Sequence, residues 1–133
     1  YFIMKTIIAG SRSIKDKETV FDAIEDAIDN NFEITEVVSG KADGVDSIGE
    51  LWAEENDIEI KEFPYEDYVS SNKEKPAPLI RNDKMAEYAD QAIIIWDGES
   101  NGTEYMKNKA ESEDLKLHIH LTNNHQLDKW SRQ

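Results

Sequence analysis

The sequence predicts an α/β domain built on a mostly parallel five-stranded sheet, and three observations carry that expectation. Five short β-rich runs alternate strictly with four helical patterns along the chain, the order that produces right-handed βαβ crossovers and a parallel sheet. Two of the runs are nearly continuous apolar stretches, as central strands covered on both faces must be. All six glycines fall just after a β-rich run or inside the helical pattern that follows, where tight turns and close backbone approach require them.

The elements follow in order. The first run, residues 4–9 (MKTIIA), and the fourth, 91–96 (QAIIIW), are the two apolar ones. The second is 36–39 (EVVS). The third, 58–63, and the fifth, 117–121, alternate in character, as strands nearer an edge do. The first helix is expected over 17–30. It puts Val20, Phe21, Ile24, Ala27 and Ile28 on one face and Asp22, Glu25, Asp26 and Asp29 on the other, with Asp16 in the N-cap position. The second, 45–55, turns Val45, Ile48, Leu51 and Trp52 inward. The third, 79–88, buries Ile80 and Met85, with Ala89 just beyond it. The fourth, 103–114, has a weak apolar face of Tyr105, Met106 and Ala110. The stretch 64–78 holds all three prolines and reads as one long irregular loop, a type of segment that often forms lids or binding loops. With strand order 3-2-1-4-5 these elements make a Rossmann-like three-layer sandwich over residues 1–122. Residues 123–133, including Trp130, form a polar C-terminal tail.

Composition narrows the class. A chain of 133 residues holds one core and not two. Apolar residues are 38% and charged residues 33% of it, as in a globular protein with a well-solvated surface. No apolar run approaches the roughly 20 residues needed to cross a bilayer. The start lacks the layout of a signal peptide, and Met4 reads as an initiator preceded by a remnant. The absence of cysteine excludes disulfides and thiolate metal sites, and a cytoplasmic address is expected. The formal net charge of −14 argues against nucleic-acid partners, whose backbones need a basic surface. It leaves room for a small anion wherever a few cations and backbone N–H groups converge.

Such a convergence is predicted above the carboxyl ends of strands one and four. In the order 3-2-1-4-5 these strands are neighbours where the winding reverses, and open α/β sheets bind ligands there. Of only three arginines, Arg12 lies directly after strand one and Arg81 near the start of helix three. Guanidinium groups bind phosphate bidentately. The loop carrying Gly10, Ser11, Arg12 and Ser13 would face residues 97–103, with Gly98, Ser100, Gly102 and Thr103. The loop with Ser39, Gly40, Lys41, Gly44 and Asp46 would flank both. Helices two and four open at these loops, so their positive dipole ends point to the same place. Ser11, Ser39, Ser100 and Thr103 would add hydroxyl donors. Gly49 stands inside helix two, where glycine costs roughly 1 kcal/mol against alanine, and an ordinary turn does not explain it. Among the acids near the pocket (Asp43, Asp46, Asp97, Glu99), Asp46 is singled out as a ribose or loop-stabilising contact. His118 and His120 share a face of strand five without a visible third ligand, so no metal site is expected. No cofactor is required by these residues beyond a nucleotide-type ligand.

Four segments in this order carry a resemblance: Gly10-Ser11-Arg12; Val38-Ser39-Gly40-Lys41-Ala42-Asp43-Gly44-Val45-Asp46; Arg81-Asn82 with Met85; and Trp96-Asp97-Gly98-Glu99-Ser100-Asn101-Gly102-Thr103. Over about residues 5–121 the chain resembles the YspA/YpsA-related branch of the SLOG superfamily. The second segment is also similar to DNA processing protein A, and the third and fourth to the LOG phosphoribohydrolases. The resemblance implies a Rossmann-like domain that binds a nucleotide or an NAD- or ADP-ribose-type derivative as a sensor, carrier or sequestering protein, sometimes alongside phage defence. It also implies a homodimer. By position it carries ligand contacts to Gly10, Ser11, Arg12, Ser39, Gly40, Gly44, Asp46, Arg81, Asn82, Gly98, Ser100, Gly102 and Thr103. Lys41 stands where the family often has a second glycine, and either adds a cation or forms a surface turn. The LOG enzymes carry G-T-x-x-E, and their glutamate assists N-glycosidic cleavage. Here Met106 occupies that position, and Glu104 points about 200° away along a helix. The resemblance therefore leans away from a LOG-type enzyme. A hydrolase acting on a nucleotide and a single-strand DNA binder remain the rival expectations.

Overall fold

The computed structural model describes residues 2–69 and 75–122. Along the chain run β1 (Lys5–Gly10), α1 (Lys17–Asp29), β2 (Glu36–Ser39), α2 (Val45–Glu55), β3 (Glu59–Glu62), a 3₁₀ turn (Tyr65–Tyr68), α3 (Ala77–Tyr88), β4 (Gln91–Trp96), α4 (Asn101–Ser112) and β5 (Lys116–Leu121). The sheet order is β3-β2-β1-β4-β5, and every pairing is parallel. This is the expected Rossmann-like sandwich.

Successive strand residues point to opposite faces, so each central strand feeds two cores. On one face Ile8, Val37, Ile93 and Ile95 pack under Val20, Ile24 and Ala27 of α1 and Val45, Trp52 and Ala53 of α2. On the other, Ile7, Ala9, Val38 and Ile94 pack under Met85 and Ala86 of α3 and Met106 and Ala110 of α4. Two-sided burial is the reason β1 and β4 are nearly continuous apolar runs. Each fully buried Ile or Val contributes about 1.5–3 kcal/mol.

Local chemistry sets the boundaries. Asp16 caps α1: Oδ1 accepts from the Glu18 N–H at 3.3 Å and Oδ2 from the Thr19 hydroxyl at 2.6 Å. Helix α3 begins at Ala77, two residues before the expected start, because a proline in the first turn costs no intrahelical hydrogen bond. Helix α4 begins at Asn101 and ends at Ser112, displaced from the expected 103–114, because Ser100 is its cap. The stretch 64–78 is not irregular throughout, since it contains the 3₁₀ turn and the first turn of α3. Leu51 is 37% exposed and not inward. It lies a little over a quarter turn from Trp52, off the face that Val45, Gly49, Trp52 and Ala53 bury. Gly49 has a packing explanation: a Cβ there would meet Ile8 Cγ2 at 2.7 Å. The tail 123–133, with Trp130, and residues 70–74 of the long loop lie outside the described residues. No helix among the described residues is long and apolar enough to cross a membrane.

Candidate functional site

β1 and β4 lie side by side at the point where the winding reverses, and a cleft of about 440 Å³ opens above their carboxyl ends. Close approach of the two strands leaves no room at Gly10, where a Cβ would fall 2.0 Å from the Ile95 carbonyl oxygen. The chain can then turn at once, and the Ser11 N–H donates to that same oxygen at 3.1 Å. The result is that Ser11, Arg12 and Ser13 stand over the end of the sheet.

Nine of the fourteen residues expected at the site line the cleft: Gly10, Ser11, Arg12, Asp46, Arg81, Asn82, Ser100, Gly102 and Thr103. The remaining five stand behind it. Ser39 is fully buried, and its hydroxyl donates to Glu50 Oε2 at 2.6 Å. Lys41 Nζ reaches Glu50 at 3.0 Å and Glu62 at 3.1 Å; those two carboxylates hold its ammonium above the usual lysine range. Gly40 offers its carbonyl to Arg81. Gly44 caps α2 at φ +78°, with Ser11 and Arg12 carbonyls within 2.8 Å of where a Cβ would be. Gly98, at φ +83°, shapes the turn before α4. These residues fold the three loops against one another.

The expected hydroxyl donors are largely committed within the protein. Ser11 Oγ accepts from the Asp97 N–H at 3.1 Å. Ser100 caps α4, accepting from the Thr103 N–H, and pairs with the Thr103 hydroxyl at 3.0 Å. Asp97 accepts from the N–H groups of Glu99 and Ser100 at 2.9 and 2.8 Å and from the Ser13 hydroxyl at 3.0 Å. Burial pushes its carboxyl up, but these hydrogen bonds outweigh that and hold it below the ordinary aspartate range. The backbone amides that open α4 lack intrahelical acceptors by geometry and give that end of the cleft positive character.

Two guanidinium groups line the cleft, Arg12 from the loop after β1 and Arg81 from α3. Arg81 is buried, with Nε donating to Asn82 Oδ1 at 2.9 Å and Nη1 to the Gly40 oxygen at 2.5 Å. Burial lowers its pKa, Asp46 opposes that shift, and the positive charge of Arg12 adds to it. Arg12 itself is exposed. In a chain with 29 acidic residues, no carboxylate among the described residues pairs with it. Asp46 serves the loops: it is 4% exposed and accepts from the Ala42 N–H at 3.4 Å.

Several lining residues escaped sequence reasoning. Pro78, Leu79, Met85, Met106 and Ala9 form an apolar wall. Their signal in the sequence is ordinary core periodicity, which does not distinguish a cleft wall from packed interior. At Gly102 a Cβ would meet nothing within 4 Å, so the protein's own packing does not demand glycine there. His118, 3.2 Å from Asp26 and edge-on to Phe32, and His120 are not among the residues that line the cleft. Among the described residues no group of three His, Cys, Asp or Glu could hold a metal.

No curated protein sequence matches this chain. Among solved structures, DNA processing protein A from Streptococcus pneumoniae superimposes with a TM-score of 0.66 at 16% identity over 89% of this chain. The match covers 50% of that protein, so the chain spans about half its length. Phosphoribosylglycinamide formyltransferase from Coxiella burnetii matches with a TM-score of 0.39 at 20% identity, over 70% of this chain and 41% of that one. The family model for the YspA, cpYpsA-related SLOG family matches residues 4–66, a span that carries β1 to β3, Arg12 and the loop from Ser39 to Asp46. Over that segment, a little under half of the chain, the sequence is similar to the YspA, cpYpsA-related SLOG family.

Proposed function

We propose that this protein is a binding module for a small phosphate-bearing ligand of the nucleotide type, held above β1 and β4. The observation that carries the reading is the pair Arg12 and Arg81. Two like charges lining one cleft repel each other, and Arg12 has no carboxylate partner among the described residues although the chain is strongly acidic. An anion between them would relieve the repulsion and gain charge-assisted hydrogen bonds. The amino end of α4 adds further donors, and the apolar wall of Leu79, Met85 and Met106 suits the flat face of a base.

Binding rather than turnover follows from Met106. It is 2% exposed and packed in the α3–α4 core, at the position where the LOG enzymes carry their acid. A thioether neither gives nor takes a proton. The DNA processing protein A likeness concerns the fold, and the net charge of −14 opposes a single-strand DNA ligand.

Thermal shift against AMP, NAD, ADP-ribose and adenosine tests the reading. Stabilisation by at least one phosphate-bearing compound, with none by adenosine, is expected. Equal effects of adenosine and AMP would move recognition away from phosphate. Release of base from AMP would replace the binder with a hydrolase.

A further inference from the structure

The Arg81 guanidinium donates to two neutral atoms, Asn82 Oδ1 and the Gly40 carbonyl oxygen. Its charge is balanced at one remove, by Asp46. Gly40 lies between the two: a Cβ there would come 2.8 Å from Arg81 Nη1 and 2.9 Å from Asp46 Oδ2. The residue at 40 therefore sets the spacing of cation and anion, and any side chain would push them apart. Asp46 thus acts on the guanidinium electrostatically without chelating it, and both side chains line the cleft.

The charged surroundings of this pair come from every element packed on it. From the β1–α1 loop Arg12 acts on Arg81, and from the 3₁₀ turn Glu66 and Tyr68 act on it with the opposite sign. On the β2–α2 loop and α2, Lys41 and Glu50 are joined to each other and to Glu62, and Asp43 is exposed. The amides of Gly10, Gly40 and Ala42 face the Asp46 carboxylate. No histidine lines the cleft among the described residues.

We infer that Asp46 is an internal counter-anion and a positioning residue for Arg81, which yields that role to an anion entering the cleft and takes up a proton from solvent as it does so. The inference rests on the reading of the cleft as an anion site and adds a proton to its binding equilibrium. Burial pushes the Asp46 carboxyl up to about 6, against the pull of Arg81 and the three amides. A second negative charge beside Arg81 pushes it further up. By linkage, an anion that favours protonated Asp46 must itself bind more tightly when the pH falls through that range.

Sulfate is the probe, because its charge is constant across the range, whereas a phosphate monoester titrates near pH 6. Sulfate affinity is measured by calorimetry at about pH 8 and about pH 5 on the whole chain and on Asp46→Asn, which keeps the shape and removes the titration. Sulfate should bind the unmodified protein tighter by about fivefold or more at the lower pH. Asp46→Asn should bind it equally at both, with the affinity of the unmodified protein at low pH. Carbon-13 NMR of the Asp46 carboxyl in the unmodified protein gives a readout that needs no variant. Its titration midpoint should move upward when sulfate is added. Sulfate binding of equal strength at both pH values with an unmoved midpoint would overturn the inference and leave the anion site standing. Failure of both sulfate and AMP to bind at either pH would remove the anion site itself, and the inference with it.

Discussion

At the residue scale the cleft is governed by two cations and by what surrounds them. Arg81 is fixed by neutral acceptors and Arg12 is left open, a division suited to one preformed and one adaptable contact. The buried aspartate beside them has a consequence for stability. Burial pushes the Asp46 carboxyl from the ordinary aspartate value of 3.8 up to about 6 in the folded protein. The folded state therefore binds that proton more tightly, and this group adds stability as the pH falls through about 6 toward 3.8, a contribution that is absent at higher pH. In urea unfolding at about pH 7 and about pH 5, the unmodified protein should gain stability relative to Asp46→Asn at the lower pH. A constant difference between the two proteins would contradict the raised pKa. Gly102→Val should leave the circular dichroism nearly unchanged, because nothing within 4 Å opposes a Cβ there, yet should abolish nucleotide binding by filling the cleft; retained affinity would take α4 out of the site. The arginines were legible in the sequence because there are only three. Asp46 was legible as a loop contact, but its place beside Arg81 was not, because spacing along the chain does not show which of 29 acids is buried next to a cation.

At the element scale, the site is made by three βα turns, and each turn depends on one or two small residues. Ser100 ends the β4 loop and opens α4. Ser100→Ala should cost about 1 kcal/mol, measurable by denaturation, and should weaken ligand binding because it loosens the amides of the first turn. Gly49 is what lets α2 rest on β1. Gly49→Ala gains helix propensity but drives its methyl into Ile8, a conflict that should destabilise by about 1–3 kcal/mol; an unchanged midpoint would show that Ile8 moves aside freely. Element type and order were legible from periodicity, because two-sided burial writes itself into β1 and β4 as nearly continuous apolar runs. Boundaries were less so. Caps at Ser100 and Pro76 are single residues that a periodic pattern does not register, and both helices begin two residues before the pattern says. The apolar wall of the cleft was illegible for a related reason: Met85 and Met106 belong to the core and the cleft at once.

At the scale of the whole molecule, strand order decides everything that follows. The reversal between β1 and β4 brings together segments separated by more than eighty residues, as in the Ser11–Asp97 and Ser13–Asp97 hydrogen bonds. Alternation of runs in the sequence implied a parallel sheet, but the strand order had to be assumed, and both that order and the loop-to-loop hydrogen bonding became visible only in three dimensions. A net charge of −14 also stores self-repulsion, which salt screens. The melting temperature should therefore rise between about 10 mM and about 500 mM sodium chloride; a fall would mean that attractive surface pairs such as Lys17–Glu55 outweigh the net field. That field gives the two cleft arginines their meaning, since they hold positive charge where the molecule as a whole repels anions. The most direct test of this claim is a calorimetric titration of AMP into the unmodified protein and into Arg12→Ala. Saturable binding that weakens by about 1.5–3 kcal/mol in the variant, with thermal stability unchanged, is the predicted result. Equal affinity in the two proteins, or no binding in either, would contradict it.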